Sequence, residues 1–141
     1  MDKNAEQFWD DIYKAPSPLS SGRPGKLVTR FSDDLTPGKA LELGCARGDD
    51  AVWLAHKGWS VVATDISATA LDYARQNAER SGVADRIAFE RHDLSQSFPE
   101  GVFDLAYASF FQSPVAFPRA EVLRRAAEAL TPGGHLLIID H

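Results

Sequence analysis

Residues 40–67 read ALELGCARGDDAVWLAHKGWSVVATDIS, and they hold a strand, a glycine turn, a helix and a second strand in succession. Lys39 to Leu43 (KALEL) is a short apolar strand with glycines directly behind it. Ala51 to Lys57 (AVWLAHK) has helical spacing and stops at Gly58, a residue suited to the left-handed C′ position. Trp59 to Thr64 (WSVVAT) is the next strand, and it runs into Asp65. Between the first strand and its helix, Gly44 and Gly48 allow a sharp turn and a close backbone approach to a ligand, with Ala46 small between them. A tight strand-to-helix turn alone would also explain two glycines.

The same period continues downstream. Ser67 can cap a helix reaching Ser81, with Leu71, Ala74 and Ala78 on its inner face and Gly82 ending it. Arg86 to Arg91 (RIAFER) is a third strand and Val102 to Ala108 (VFDLAYA) a fourth. A helix from Arg119 to Leu130 would bury Val122, Leu123, Ala126 and Leu130, and the turn TPGG feeds a fifth strand, His135 to Asp140. Strands alternating with helices at this spacing predict an α/β fold: a doubly wound, Rossmann-like, mainly parallel sheet with helices on both faces. Ligands of such sheets sit beyond the carboxyl ends of the strands.

Upstream, Phe8, Trp9 and Ile12 share one side of a short helix, and residues 14–26 (KAPSPLSSGRPGK) read as a loop. Leu27, Val28 and Phe31 suggest another short helix. The 141 residues suit one domain, with residues 1–36 as an amino-terminal lid and 37–141 as the α/β core. The net charge of −5 argues against a nucleic-acid binder or an anionic-membrane partner. No apolar run approaches the roughly 20 residues of a spanning helix, no signal peptide opens the chain, and the single Cys45 cannot form an internal disulfide. A cytoplasmic setting is the simplest expectation.

Three acidic or glycine signals follow three different strands. Asp65, at the tip of the second, can accept both hydroxyls of a ribose or can cap the next helix beside Ser67. Asp93, in Arg91-His92-Asp93-Leu94, can accept a hydrogen bond from the exocyclic amine of adenine or can form a turn. No paired-cysteine or histidine spacing suggests a metal. Asp49 and Asp50 suit a helix start, where carboxylates favour the dipole; contact with a ligand amino group is the lesser alternative. Phe110, Phe111, Pro114, Phe117 and Pro118 either wall an acceptor site or pack the chain after the fourth strand.

These segments, with RHDL, FDLAYAS and LTPGGHLLIID, resemble the class I S-adenosylmethionine-dependent methyltransferases from about residue 37 onward. In finer detail they look like the small bacterial tellurite-resistance and thiopurine S-methyltransferase group, whose amino-terminal lid is similar to FWDDIY and SGRP here. The resemblance implies S-adenosyl-L-methionine as cofactor and a small-molecule acceptor: a thiol or other soft nucleophile, an amine or a hydroxyl. It implies that Glu42, Gly44, Cys45, Ala46 and Gly48 line the methionine part, with Cys45 packing rather than reacting. Asp65 would hold the ribose and Ile66 pack on the adenine. Asp93 would meet the adenine amine with Leu94 beside it, and Ala108 and Ser109 would lie near the sulfonium. Trp9, Tyr13 and Arg23 would cover the site. His92 and His141 are the histidines placed for a general base, although exposed strand-end residues is the plainer reading. The family's sheet usually ends in a further hairpin, which is missing here, so additional chain or a homodimer partner is expected over the fifth-strand edge.

Two rivals remain at this point. A nicotinamide-dependent dehydrogenase needs glycines at offsets zero, two and five; here those are Gly44, Ala46 and Asp49, and Gly48 falls at offset four. A binding module that holds the cofactor without catalysis is the other. The run Ala-Ser-Phe-Phe-Gln-Ser-Pro after the fourth strand also lacks the Asn-Pro-Pro-aromatic pattern of adenine-modifying relatives.

Overall fold

Burial on both faces is written into the strands, and the computed structural model shows why. It describes residues 30, 32–44, 48–94, 96–110 and 119–140. Five strands form one sheet in the order β3-β2-β1-β4-β5, where β1 is Lys39–Leu43, β2 Ser60–Asp65, β3 Ile87–Arg91, β4 Phe103–Phe110 and β5 Leu130–Asp140. Every pairing is parallel. Helices α1 (Asp49–His56), α2 (Ala68–Arg80) and α3 (Arg119–Glu128) link the strands. This is the doubly wound α/β sheet that the alternation predicts.

Side chains alternate between two cores. Ala40, Val61, Ala63, Leu105 and Tyr107 pack with Leu54 of α1 and Leu71, Ala74 and Ala78 of α2. Leu41, Leu43, Ala106 and Ala108 pack with Val122 and Ala126 of α3 on the other face. Near-continuous apolar runs in β1, β2 and β4 follow from this double coverage. Ser67 caps α2 as expected, its Oγ accepting the Ala70 N–H at 3.1 Å, and Gly82 follows with φ +75°.

Several boundaries differ from the sequence reading: α3 stops at Glu128, so Leu130, expected as its last inward residue, opens β5 instead, and β2 is Ser60–Asp65, shifted one residue along from the strand read at Trp59 to Thr64. Helix α1 begins two residues earlier, at Asp49, because Gly48 supplies a left-handed start and its carbonyl accepts the Val52 N–H. Strand β4 runs on to Phe110, so Ser109 lies within it and pairs with Ile139 rather than following the strand. The TPGG turn is a break inside β5: Phe103 pairs with Leu130, Leu105 with His135, and the residues between are looped out. Gly133 has φ +82° there. A short 3-10 turn, Ala84–Arg86, was not anticipated. Among the described residues β5 is an edge strand, and its Ile138 is exposed.

Candidate functional site

At the carboxyl rim of the sheet the chain brings its predicted residues onto neighbouring strand tips. The Gly44 N–H donates to the Thr64 carbonyl at 3.0 Å, and the His92 N–H donates to the Asp65 carbonyl at 3.0 Å. Gly44, Asp65 and His92-Asp93 therefore form one continuous row across β1, β2 and β3. Sequence separation of more than 20 residues between each is closed by the parallel register.

The two glycines have different reasons to be glycine. Both have positive φ, +85° at Gly44 and +86° at Gly48. A Cβ on Gly44 would meet no atom of the described residues within 4 Å. A Cβ on Gly48 would sit 2.9 Å from the Cβ of Ala74. Close packing of α1 against α2 demands Gly48, whereas the ligand-approach reading fits Gly44.

Glu42 is the most unusual group of the rim. Alternation along β1 puts it on the α1-covered face with Ala40, and only 3% of it is exposed. It is in register with Tyr107 of β4, and its Oε1 has no hydrogen-bond partner among the described residues. Burial pushes its carboxyl well above the usual carboxylate range. Asp50, Asp65 and Asp49 add repulsion in that order, and the Tyr107 hydroxyl partly offsets them. An unsatisfied buried polar atom of this kind costs roughly 1–3 kcal/mol.

Asp65 is 7% exposed, and its Oδ1 accepts the Ser67 N–H at 2.9 Å. The capping alternative is thus realised, and it also fixes the carboxylate at the strand tip. Ile66 is half-buried, and its carbonyl accepts from Arg91 Nε at 3.2 Å. The Asp93 carbonyl accepts the N–H groups of Gln96 and Ser97, so this residue does form a turn, while Leu94 packs against the α3-side core. Ala108 is fully buried in that same core.

His92 is held at both ring nitrogens, Nδ1 at 2.7 Å from Ser97 Oγ and Nε2 at 2.9 Å from Glu90 Oε1. It is a clip between the end of β3 and the following turn. Trp9, Tyr13, Arg23, Cys45, Ala46 and His141 lie outside the described residues, as do Phe111, Pro114, Phe117 and Pro118. Sequence reasoning missed Tyr107. The available signal was a tyrosine at an inward position of FDLAYAS, where a hydroxyl must find polar company.

Comparison with known proteins agrees with this architecture. A family profile described as a methyltransferase domain matches residues 40–134. The chain is 35% identical over 145 residues to methyltransferase GfsG of Streptomyces halstedii, covering 94% of this chain and 51% of that one. It is 32% identical over 149 residues to thiocyanate methyltransferase 1 of Brassica oleracea, covering 96% and 62%. It superposes with a TM-score of 0.74 and 21% identity on a SAM-dependent methyltransferase from Thiobacillus denitrificans solved with S-adenosyl-L-homocysteine, covering 96% and 56%, which is a likeness of fold. The chain spans about half the length of the first of these relatives. On the extent of the matched segment, the chain belongs to the methyltransferase domain family.

Proposed function

We propose that the carboxyl rim binds S-adenosyl-L-methionine and that the chain serves methyl transfer to a small-molecule acceptor. The observation that carries this reading is the juxtaposition, on adjacent strand tips, of a bare main chain at Gly44, a buried unsatisfied acid at Glu42 and a fixed carboxylate at Asp65. These groups fit the cofactor's parts. Glu42 suits its ammonium group, Asp65 its ribose hydroxyls and Asp93 its adenine amine, with Ile66 and Leu94 as apolar neighbours. Ala108 and Ser109 lie on β4, beside β1, on the side left for the acceptor. Gly48, Trp9, Tyr13, Arg23, Cys45 and Ala46 complete the proposed set.

When bound, the cofactor supplies an activated methyl group that an aligned nucleophile can take by in-line displacement. The protein's part is orientation and exclusion of water. A soft acceptor needs little help from a base, since thiolates form near neutral pH. His92 has both ring nitrogens engaged, which favours a positioning role over proton abstraction; His141 remains the other candidate. Thiocyanate is the acceptor named for one of the relatives above. Thiocyanate methylation supports the finer likeness to the thiopurine and tellurite group.

Calorimetric titration with S-adenosyl-L-homocysteine and with NADH separates the readings. Binding of the first alone, followed by transfer of a labelled methyl group to thiol, amine or hydroxyl acceptors, is the expected result. Binding without transfer to any of them would leave a cofactor-holding module, and binding of NADH alone would restore the dehydrogenase.

A further inference from the structure

The acid at the end of β1 is 3% exposed, and its Oε1 has no hydrogen-bond partner among the described residues. Its surroundings can be named element by element. From α1 it faces Asp49 and Asp50, from β2 Asp65, and from β4 the Tyr107 hydroxyl. Among the described residues the charged groups acting on it are acids, and the neighbouring Thr64 hydroxyl is committed to the Glu42 backbone carbonyl at 2.9 Å. Among the described residues no three His, Cys, Asp or Glu side chains are arranged as metal ligands.

We infer that Glu42 is a proton-exchange site coupled to the rim: its carboxyl is protonated in the ligand-free protein and is ionised when the ammonium group of the ligand settles beside it. The inference rests on the cofactor reading above and adds to it a proton balance. Ligand binding displaces one proton from Glu42 Oε to solvent, and no bond other than that O–H is broken. Burial and the ring of acids favour the protonated form, and a cation reverses the preference. Tyr107 acts as a positioning residue, because its hydroxyl favours the ionised form from the adjacent strand.

The linkage has a definite sign. Between the ligand-free and ligand-bound ionisation points, affinity rises by up to about tenfold per pH unit as pH increases. In the ligand-free chain the raised carboxyl works the opposite way on folding. Its contribution is full below the ordinary carboxylate range, where the unfolded chain is protonated as well, and is lost as pH rises from there to the raised ionisation point of the folded chain.

The test is calorimetric titration of the full chain with S-adenosyl-L-homocysteine across neutral pH, in phosphate and in Tris, whose ionisation heats differ. The expected result is release of close to one proton on binding, with affinity climbing as pH rises. Glu42→Gln mimics the protonated acid, and it should abolish the release. Tyr107→Phe should move the release to higher pH. Ligand-free thermal denaturation of wild type against Glu42→Gln supplies a readout independent of binding, with a downward pH slope in wild type alone. Binding with no proton released, or release unchanged in Glu42→Gln, would overturn the inference and leave the cofactor reading standing. No binding to wild type would overturn both.

Discussion

The two ends of the sheet treat their carboxylates in opposite ways. At the amino rim, Asp104 of β4 is satisfied: one oxygen accepts the Lys39 N–H at 2.9 Å and the other the Thr131 hydroxyl at 3.0 Å. Those bonds, the Lys39 amide first, hold its carboxyl below the usual range. It ties the start of β1 to the looped-out break in β5, beside a groove of about 340 Å³ that Trp59, Pro37 and Pro132 help to line. At the carboxyl rim, Glu42 is buried, surrounded by acids, and short of a partner at Oε1. A satisfied carboxylate stabilises the fold. An unsatisfied one costs stability, and retaining it there points to a ligand.

The largest expected effect sharpens this contrast at the functional end. Asp65→Ala should weaken S-adenosyl-L-homocysteine binding by about 10- to 100-fold, the range for losing hydrogen bonds to a charged group. Because Asp65 also holds the Ser67 N–H, Asp65→Asn is the control that keeps an acceptor at that amide. Unchanged affinity in Asp65→Ala, read by calorimetry, would break the assignment of the nucleoside end.

Next come the glycines. Gly48→Ala should destabilise the chain by about 2 kcal/mol, combining left-handed strain with overlap against Ala74. Gly44→Ala should cost about 1 kcal/mol from strain alone, yet impair ligand binding more than Gly48→Ala does. Denaturant unfolding paired with calorimetry checks both halves. Equal binding losses would erase the distinction between the two positions.

At the amino rim, Asp104→Ala should cost about 1–2 kcal/mol and leave ligand affinity unaltered. Gly38→Ala should act through the same residue, since its added Cβ would overlap Asp104 Oδ2. The stabilisation from Asp104 is present above the ordinary carboxylate range and is lost as pH falls through its lowered ionisation point. Wild type should therefore lose stability more steeply in acid than Asp104→Asn, by urea titration at a series of pH values. The smallest effect is Ser67→Ala, about 1 kcal/mol from the lost helix cap.

Local signals carried most of the fold. Strand β1 was legible to the residue, and α2 was read between its cap at Ser67 and its stop at Gly82, because both rest on neighbours in sequence. What stayed hidden depends on partners far along the chain. Gly48 was singled out for a sharp turn and a close approach, and its packing against Ala74, 26 residues away, is a further constraint that no local pattern shows. Asp104 gave no sign of its role, which needs Lys39 and Thr131 brought to it by β1 and β5. The Glu42–Tyr107 pairing is fixed by the register of β1 and β4, and their 65-residue separation left it out of reach of any local pattern.

A crystal structure of the chain with S-adenosyl-L-homocysteine tests the central claim most directly. The ligand should lie across the tips of β1, β2 and β3, with its amino group toward Glu42 and its ribose on Asp65. Ligand density in the amino-rim groove beside Asp104 and Trp59, with the carboxyl rim closed by the protein's own side chains, would contradict it.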